Sequence, residues 1–266
     1  MAGSQAVIEI RQLFQLEEFE NVLTLQKTIW NFADIELLPL RFLVVVNKVG
    51  GHLFGAYDGG RMVGFCFAIP GIIRGGQDDG RPYLHSHMLG VLAEYNNAGV
   101  GRRLKLRQRE EALARGIELI EWTFDPLELK NAFFNIERLG AIVRRYAENQ
   151  YGTSSSPLQG GLPTDRCIAE WWIGSPRVRA VLAGEPVMRS AAERIAYPAG
   201  MADIRREDHP RAREIQQANA RKFQQAFERG LAVTGFERSA DEGTYVLERW
   251  VLEPGVLEPG ILEPGP

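Results

Sequence analysis

The sequence predicts a mixed α/β fold, because segments with strand periodicity and segments with helical periodicity follow one another along most of the chain. Residues 6–11 alternate apolar and polar side chains, as a half-buried strand does. Residues 16–30 carry apolar side chains at helical spacing. The tripeptide Asp58-Gly59-Gly60 has the composition of a hairpin turn, so a strand is expected on either side of it.

The same two periodicities predict the other elements of the first 175 residues. One helix is expected over 104–114 and closes at Gly116, and a second is expected over 129–140 and stops at Gly140. Residues 153–164 have the composition of a loop. The remaining strands are predicted at 51–57, 61–69, 82–91, 117–126, 141–152 and 165–175.

The C-terminal part has a rhythm of its own. Residues 176–198 give no decisive pattern, whereas a strand is predicted at 201–207, a helix at 210–230 and a hairpin at 231–250. The last residues repeat Glu-Pro-Gly three times, which predicts a tail without a packed core. We therefore divide the chain into a domain over 1–175, a strand-helix-hairpin extension over 176–250 and a tail over 251–266.

Composition excludes several classes of protein. The 266 residues are 45% apolar and 24% charged with a net charge of −3, so no basic field attracts nucleic acid or an anionic membrane. No apolar run reaches the length of a membrane span, and the N-terminus lacks the order of a signal peptide. Cys66 and Cys167 lie in apolar stretches, which indicates buried thiols in a reducing compartment. We expect a cytoplasmic protein.

A turn of small residues joins the predicted strand 82–91 to the arginine-rich helix. Such a turn exposes backbone N–H groups at a helix N-terminus, where they bind phosphate. The P-loop template fails because no glycine is followed by lysine, and the Rossmann template fails because Leu104 stands where a glycine is required. The remaining template, [Q/R]-x-x-G-x-[G/A], grips the pyrophosphate of coenzyme A and corresponds to Asn96-Asn97-Ala98-Gly99-Val100-Gly101.

On these residues the sequence resembles the GCN5-related N-acetyltransferase superfamily. The match runs from Leu89-Gly90-Val91 through the turn to Leu104, continues in the strand 117–126, and ends in the segment that starts at Asn131-Ala132 and closes with Leu139-Gly140-Ala141. The resemblance covers roughly residues 6–175, and "HSHMLGV", "TFDPL" and "LPTDR" with "EWW" are similar to a bacterial branch. It implies an acyl-CoA N-acyltransferase fold, with a mixed, mostly antiparallel central sheet flanked by helices.

The resemblance also implies where acetyl-CoA or another acyl-CoA binds. In the superfamily the strand before the turn parts from its neighbour, pantetheine lies in the gap, and main-chain N–H groups polarise the thioester carbonyl. Asn96 replaces the usual glutamine or arginine, which removes a charge that Arg102 and Arg103 partly replace. The implied cofactor-binding residues are Leu89, Gly90, Val91, Asn96, Asn97, Ala98, Gly99, Val100, Gly101, Arg102, Arg103, Asn131 and Asn135.

The implied reaction is direct attack of an amine on the thioester, which requires a general base and a proton for the leaving thiolate. His85 and His87 are two residues apart in a strand and face the same side, and His87 ranks first as the base. Asp125 and Glu121 are the carboxylate candidates. Ile136 stands where the superfamily often has a tyrosine acid, so Tyr146 or water would serve instead.

Several alternatives stay open at this stage. The acceptor is expected to be a small-molecule amine or an amino acid, with a peptide as an alternative. The chain is otherwise a CoA-binding module without catalysis, or a scaffold that uses the fold for assembly, and 176–250 would complete the acceptor pocket or form a homodimer surface. His85-Ser86-His87 also has the spacing of a metal pair, but no cysteine lies near it and we predict no metal site.

Overall fold

The computed structural model describes residues 8–74, 80–152 and 161–250, and it confirms the mixed α/β fold with a mostly antiparallel sheet flanked by helices. The described chain divides into two compact units, which hold 8–73 with 80–120 and 121–152 with 161–250. The sequence division at residue 175 stays a prediction. Within the second unit, Val143 pairs with Val233, so residues on both sides of position 175 share one sheet.

The first unit is a four-stranded antiparallel sheet with helices on both faces. Phe67 contacts Phe42 of one helix, whereas the adjacent Cys66 contacts Leu104 of another, so successive residues of one strand face different helices. Its elements are β1 (Glu9–Gln12), α1 (Leu16–Trp30), α2 (Leu40–Lys48), β2 (His52–Asp58), β3 (Arg61–Ile72), β4 (Pro82–Val91) and α3 (Val100–Ala114), with strand order β1-β2-β3-β4.

Local chemistry explains where these elements begin and turn. Gln15 and Glu18 form a capping box at the start of α1, since the Glu18 carboxylate accepts a hydrogen bond from the Gln15 N–H at 3.0 Å. Asp58 pairs with Arg61 across the β2–β3 turn, and Gly59 supplies the left-handed φ of +58° that the turn requires. The predicted helix at 16–30 and the predicted hairpin are both confirmed.

His52 is a buried weak point of the first unit. It is 0% exposed, and neither ring nitrogen has a hydrogen-bond partner among the described residues. Burial lowers the pKa of His52 to about 4, with Arg115 adding to the effect. The unfolded chain binds this proton near pH 6.5 and the folded chain does not, so stability falls as the pH drops from about 6.5 towards 4.

We therefore expect His52→Leu to flatten the acid loss of stability by about 3 kcal/mol between pH 6.5 and 4, which is the scale of a shift of this size. The measurement is urea unfolding of both proteins at several pH values. His209 lies at the exposed start of its helix, and His209→Leu is the matched control. Parallel pH curves for wild type and His52→Leu would contradict the prediction.

The second unit contains the larger share of strands. Most of β5 (Leu119–Phe124) belongs to it, and its strand order is β5-β7-β6-β9-β10-β8. Its other elements are α4 (Leu129–Phe133), a π-helical segment (Phe134–Arg138), β6 (Ile142–Ala147), β7 (Arg166–Trp172), α5 (Pro176–Ala183), β8 (Glu193–Pro198), α6 (Met201–Glu207), α7 (His209–Glu228), β9 (Leu231–Arg238) and β10 (Glu242–Arg249).

One element of the predicted extension is wrong. Residues 201–207 were expected as a strand but form α6, and the strand of the extension is β8 instead. Met201 and Arg205 are buried while Asp203 is exposed, and the i, i+4 spacing of the buried pair is helical. The helix at 210–230 and the hairpin at 231–250 are confirmed by α7, β9 and β10.

Two further predictions concern residues that the structure does not describe. The tail at 251–266 and most of the loop at 153–164 lie outside the described residues. Within the described ranges, no helix has both the length and the apolar character that crossing a bilayer requires.

Candidate functional site

The turn between β4 and α3 has the backbone of an anion cradle. After β4 the chain makes a 3₁₀ turn (Ala93–Tyr95), and Asn97 and Gly99 then adopt left-handed φ angles of +64° and +78° before α3 begins. Tyr95 fixes the turn to the β2–β3 hairpin, because its hydroxyl donates to Asp58 at 2.6 Å. Successive backbone N–H groups in such a conformation point towards one concavity.

Four backbone donors of this turn are uncommitted. Among the described residues, no hydrogen bond uses the N–H of Asn97, Gly99, Val100 or Gly101. The last two belong to the first turn of α3, whose N–H groups have no partner within a helix and carry its positive dipole end. The four donors together suit an oxyanion of the phosphate class.

The two glycines have different physical reasons. Gly99 is required by its left-handed φ, and a Cβ placed on it would meet no atom within 4 Å. Gly101 has ordinary helical geometry, and a Cβ there would lie 3.4 Å from Leu89 Cδ2, an ordinary contact. Only at Gly101 is the missing side chain left unexplained by the fold, which favours a ligand in contact with the backbone at that position.

The polar side chains of the turn contribute less than the main chain. Asn96, Asn97 and Ala98 are exposed on the surface of the first unit. Arg102 is half-buried, and Arg103 hydrogen-bonds the Ile8 carbonyl, so part of its guanidinium is already engaged. The cofactor-binding roles of these side chains stay predictions. The main support for a phosphate site at this turn comes from its backbone N–H groups.

Strand β4 offers alternate main-chain groups to its two edges. The Leu92 N–H donates to Val63 O of β3 at 2.9 Å, so the N–H of Gly90 also points towards β3 and those of Leu89 and Val91 point away from it. A Cβ on Gly90 would lie 2.8 Å from Trp30 and from Ile29. Gly90 therefore serves the close packing of α1, whereas the N–H groups of Leu89 and Val91 are directed away from β3.

A β-bulge at His87 shapes the middle of β4. Ser86 pairs with Ala68 and Met88 with Phe67, which leaves His87 without a partner in β3. The His85 and His87 rings lie 5.9 Å apart, and the His87 ring meets Phe67 edge-on at 5.9 Å. His87 reaches solvent while His85 is half-buried. The two rings therefore share one region, as the sequence predicts.

The two imidazoles differ in their chemistry. Burial, then the neighbouring His87, then Lys105 lower the pKa of His85 to about 4. Partial desolvation of its ring lowers the pKa of His87 below the usual value of 6.5. Both rings are therefore neutral at neutral pH, and only His87 is accessible to a substrate proton. No group of three His, Cys, Asp or Glu side chains in the described ranges is arranged to hold a metal ion.

The other two predicted catalytic residues, Asp125 and Tyr146, lie in the second unit and are engaged there. Asp125 Oδ2 accepts from Arg205 at 2.9 Å, and its Oδ1 accepts from the Leu127 N–H at 2.8 Å. The Tyr146 hydroxyl donates to Asp165 at 2.8 Å, and burial raises its pKa, so the phenol keeps its proton. Their catalytic roles stay predictions, and the geometry of Asp125 is that of a structural ion pair.

The remaining sequence candidates also lie in the second unit. Burial raises the pKa of Glu121, although the guanidinium of Arg145 contacts its carboxylate and opposes that shift. Asn131 is exposed at the start of α4, and Asn135 is buried in the π-helical segment. Ile136 is fully buried in the same segment, so it is part of the core.

Sequence reasoning missed two groups of polar residues that the fold buries. Arg205, the partner of Asp125, lies in the segment predicted as a strand. Lys105, Ser86 and Gln108 form a buried hydrogen-bonded chain between α3 and β4. The spacing of Leu104, Gln108 and Ala112 would have placed Gln108 on the inner face of α3, but nothing in that pattern marks Lys105.

Comparison with known proteins adds a family to this geometry. A family model described as "Acetyltransferase (GNAT) family" matches residues 8–140, half of the chain. No curated protein sequence gives a significant match.

Solved structures resemble the chain at low sequence identity. Arabidopsis thaliana NAA60 in complex with acetyl-CoA has a TM-score of 0.52 and 14% identity over 64% of this chain and 100% of that one. The same plant protein in complex with a bisubstrate analogue has a TM-score of 0.50 and 14% identity, over 62% of this chain and 98% of that one. The ribosomal-protein-S18-alanine N-acetyltransferase of Escherichia coli has a TM-score of 0.48 and 15% identity, over 64% of this chain and 96% of that one.

Proposed function

Because the chain belongs to the acetyltransferase (GNAT) family, and is thus an N-acyltransferase with acyl-CoA as donor, we propose that it acylates a small-molecule amine or amino acid by direct attack. The observation that carries the proposal is the set of four uncommitted N–H groups at Asn97, Gly99, Val100 and Gly101. A diphosphate accepts several such bonds at once, and the dipole of α3 adds to the attraction.

In this proposal the acyl arm follows β4. The N–H groups of Leu89 and Val91 point away from β3, so they are directed to a ligand edge or to further main chain. A donor that contacts the thioester oxygen stabilises the negative charge that develops there during attack. This role needs no side chain, which agrees with the apolar side chains at both positions.

The chemical step is a single acyl transfer without an acyl-enzyme. The amine nitrogen forms a bond to the thioester carbon while the bond from carbon to sulfur breaks, the nitrogen loses one proton, and the thiolate gains one. Both cysteines are fully buried, and burial raises the pKa of Cys66 to about 12 and that of Cys167 well above its usual value. Neither thiol supplies the thiolate that covalent catalysis requires.

We assign the general base to His87 and keep Tyr146 as the acid. His87 is exposed, and its lowered pKa keeps the ring neutral and able to take a proton at neutral pH. Tyr146 retains its proton because its pKa is raised, but that proton is donated to Asp165 in the resting protein. Water is the alternative proton donor to the leaving thiolate.

The surroundings of His87 support a small, partly apolar acceptor. Phe67 lies edge-on to the His87 ring, and Phe42 of α2, which is 38% exposed, lies 6.1 Å from Phe67. An amine with an apolar or aromatic body would pack on Phe42 and present its nitrogen to His87.

The deciding experiment measures CoA thiol release with acetyl-, succinyl- and longer acyl-CoA against a panel of amines, amino acids and short peptides. We expect turnover with at least one small amine and a higher KM for the peptides. Turnover restricted to peptides would overturn the small-molecule acceptor. Burst formation of a hydroxylamine-sensitive acyl-protein would overturn direct attack.

The pH dependence of kcat/KM tests His87. A base must be neutral to act, so the rate is expected to fall tenfold per pH unit below the pKa of His87, which lies under 6.5. His87→Gln should lower kcat by roughly 100-fold and remove this acid limb. His85→Gln is the matched control. The pKa of the His85 ring is about 4, so a loss of rate caused by protonation of His85 would lie near pH 4.

A further inference from the structure

A buried polar chain links α3 to β4 behind the proposed site. Lys105 Nζ donates to Ser86 Oγ at 2.7 Å, and Ser86 Oγ donates to Gln108 Oε1 at 3.0 Å. The three residues are 3%, 4% and 0% exposed. Each of these bonds therefore forms away from solvent, where it is stronger and where its loss costs more.

Ser86 connects this hydrogen-bonded chain of side chains to the bulge in β4. Ser86 is the last residue of β4 that pairs with β3 before the bulge, and His87 is the bulged residue itself. A bulge interrupts the ladder, so the direction of His87 depends on what holds its neighbours. The Ser86 hydroxyl ties that point of β4 to α3, whose N-terminus carries the cradle.

The use of lysine at this site is costly for the fold. Burial lowers the pKa of Lys105 to about 7, and Gln108 Nε2 has no hydrogen-bond partner among the described residues. An apolar residue of similar length would avoid the desolvation of the amine. Groups that the fold retains at a cost to stability are often those that function requires.

We propose that Lys105 is a positioning residue for acyl transfer, which through its hydrogen bond to Ser86 holds the bulged segment of β4 and aims His87 at the acceptor amine. This inference rests on the proposed function of His87 as the base. Lys105 itself touches neither substrate. Its effect is expected on kcat and not on the binding of acyl-CoA, because the cradle donors are main-chain groups of another turn of α3.

The test uses an isosteric pair at Ser86 together with Lys105→Met. Threonine keeps the hydroxyl and valine replaces it by a methyl group of the same shape, and both are favourable in a strand. We expect Ser86→Thr to keep kcat within about twofold, and both Ser86→Val and Lys105→Met to lower it by roughly tenfold, since small misplacements of a catalytic group have effects of this size. KM for acetyl-CoA should change by less than about twofold.

A double-mutant cycle and stability measurements complete the test. The double variant Ser86→Val/Lys105→Met should have the kcat of either single variant, because both remove the same tie. Lys105→Met should be at least as stable as wild type, whereas a purely structural role predicts loss of stability together with kcat. Arg107→Met, a change at a half-buried position on the same helix, is the control with unchanged kcat.

The outcomes separate this inference from the proposed function. Equal kcat values for Ser86→Thr and Ser86→Val, or wild-type kcat for Lys105→Met, would overturn the positioning role while the enzyme remains active. If Lys105→Met does not fold, the Ser86 pair still decides. Absence of transfer by the wild-type protein with every amine, despite bound acetyl-CoA, would instead overturn the proposed function.

Discussion

Gly99→Glu is expected to abolish acyl-CoA binding while the protein stays folded. The new side chain would start in open space, since a Cβ at Gly99 meets no atom within 4 Å, and its carboxylate would enter the region that the uncommitted N–H groups face. Like charges placed together cost several kcal/mol, so affinity for the CoA diphosphate should fall by roughly 100-fold or more. Calorimetric titration with acetyl-CoA measures the loss directly.

Gly116→Glu is the matched control for this variant. Gly116 lies just beyond the other end of α3, with a left-handed φ of +71° against +78° at Gly99, and a Cβ there also meets no atom within 4 Å. Both variants therefore carry the same backbone strain, about 1–2 kcal/mol, and the same added charge. Gly116→Glu should bind acetyl-CoA like wild type. Equal binding by Gly99→Glu would remove the cradle as the phosphate site.

The sequence predicts most of this fold because its elements carry strong local signals. The helix at 16–30 has a clear apolar face and appears with the expected bounds. The Asp58-Gly59-Gly60 turn has hairpin chemistry, and the hairpin forms there with Asp58 as the last residue of its first strand. Helix α5 also had a signal, since Ser175 and Pro176 mark its start and Gly184 its end. That pattern lies mostly within residues 176–198, whose apolar periodicity alone is not decisive.

The misplaced strand at 201–207 shows where local pattern fails. A helix of seven residues offers few positions for a period to show, and one of its two buried residues is an arginine. Arg205 is buried because Asp125, eighty residues earlier in the chain, neutralises it. A pairing over that distance is a tertiary effect that no window of sequence contains.

The candidate site divides in the same way. The cradle could be predicted because a turn, a following helix and two glycines are contiguous. The backbone conformation by itself requires a glycine at position 99, so only the glycine at position 101 is evidence for a bound ligand. His85 and His87 could be placed together because strand residues two apart face one side. The link from Lys105 to Ser86 could not, since it joins two elements and buries a charge that sequence patterns assign to solvent.

Asp125→Ala is expected to lower the free energy of unfolding by about 3 kcal/mol, the scale found when one partner of a buried ion pair is removed. The variant leaves the buried Arg205 guanidinium with one carboxylate fewer, and Glu128, at 3.1 Å, compensates only in part. It also removes the acceptor of the Leu127 N–H. Urea unfolding measures the change, and Asp125→Ala/Arg205→Met should recover part of it, because the uncompensated charge is gone.

A different variant, Asp125→Asn, decides whether Asp125 takes part in catalysis. If its oxygens serve only Arg205 and Leu127, kcat per folded molecule should stay within a few-fold of wild type in Asp125→Asn, which keeps the acceptor for the Leu127 N–H. A general base at this position would instead cost roughly 10²-fold or more. An Asp125→Asn protein as stable as wild type but with kcat reduced by that factor would return Asp125 to the catalytic residues. The contacts of Asp125 imply the opposite result, a loss of stability with little change in kcat.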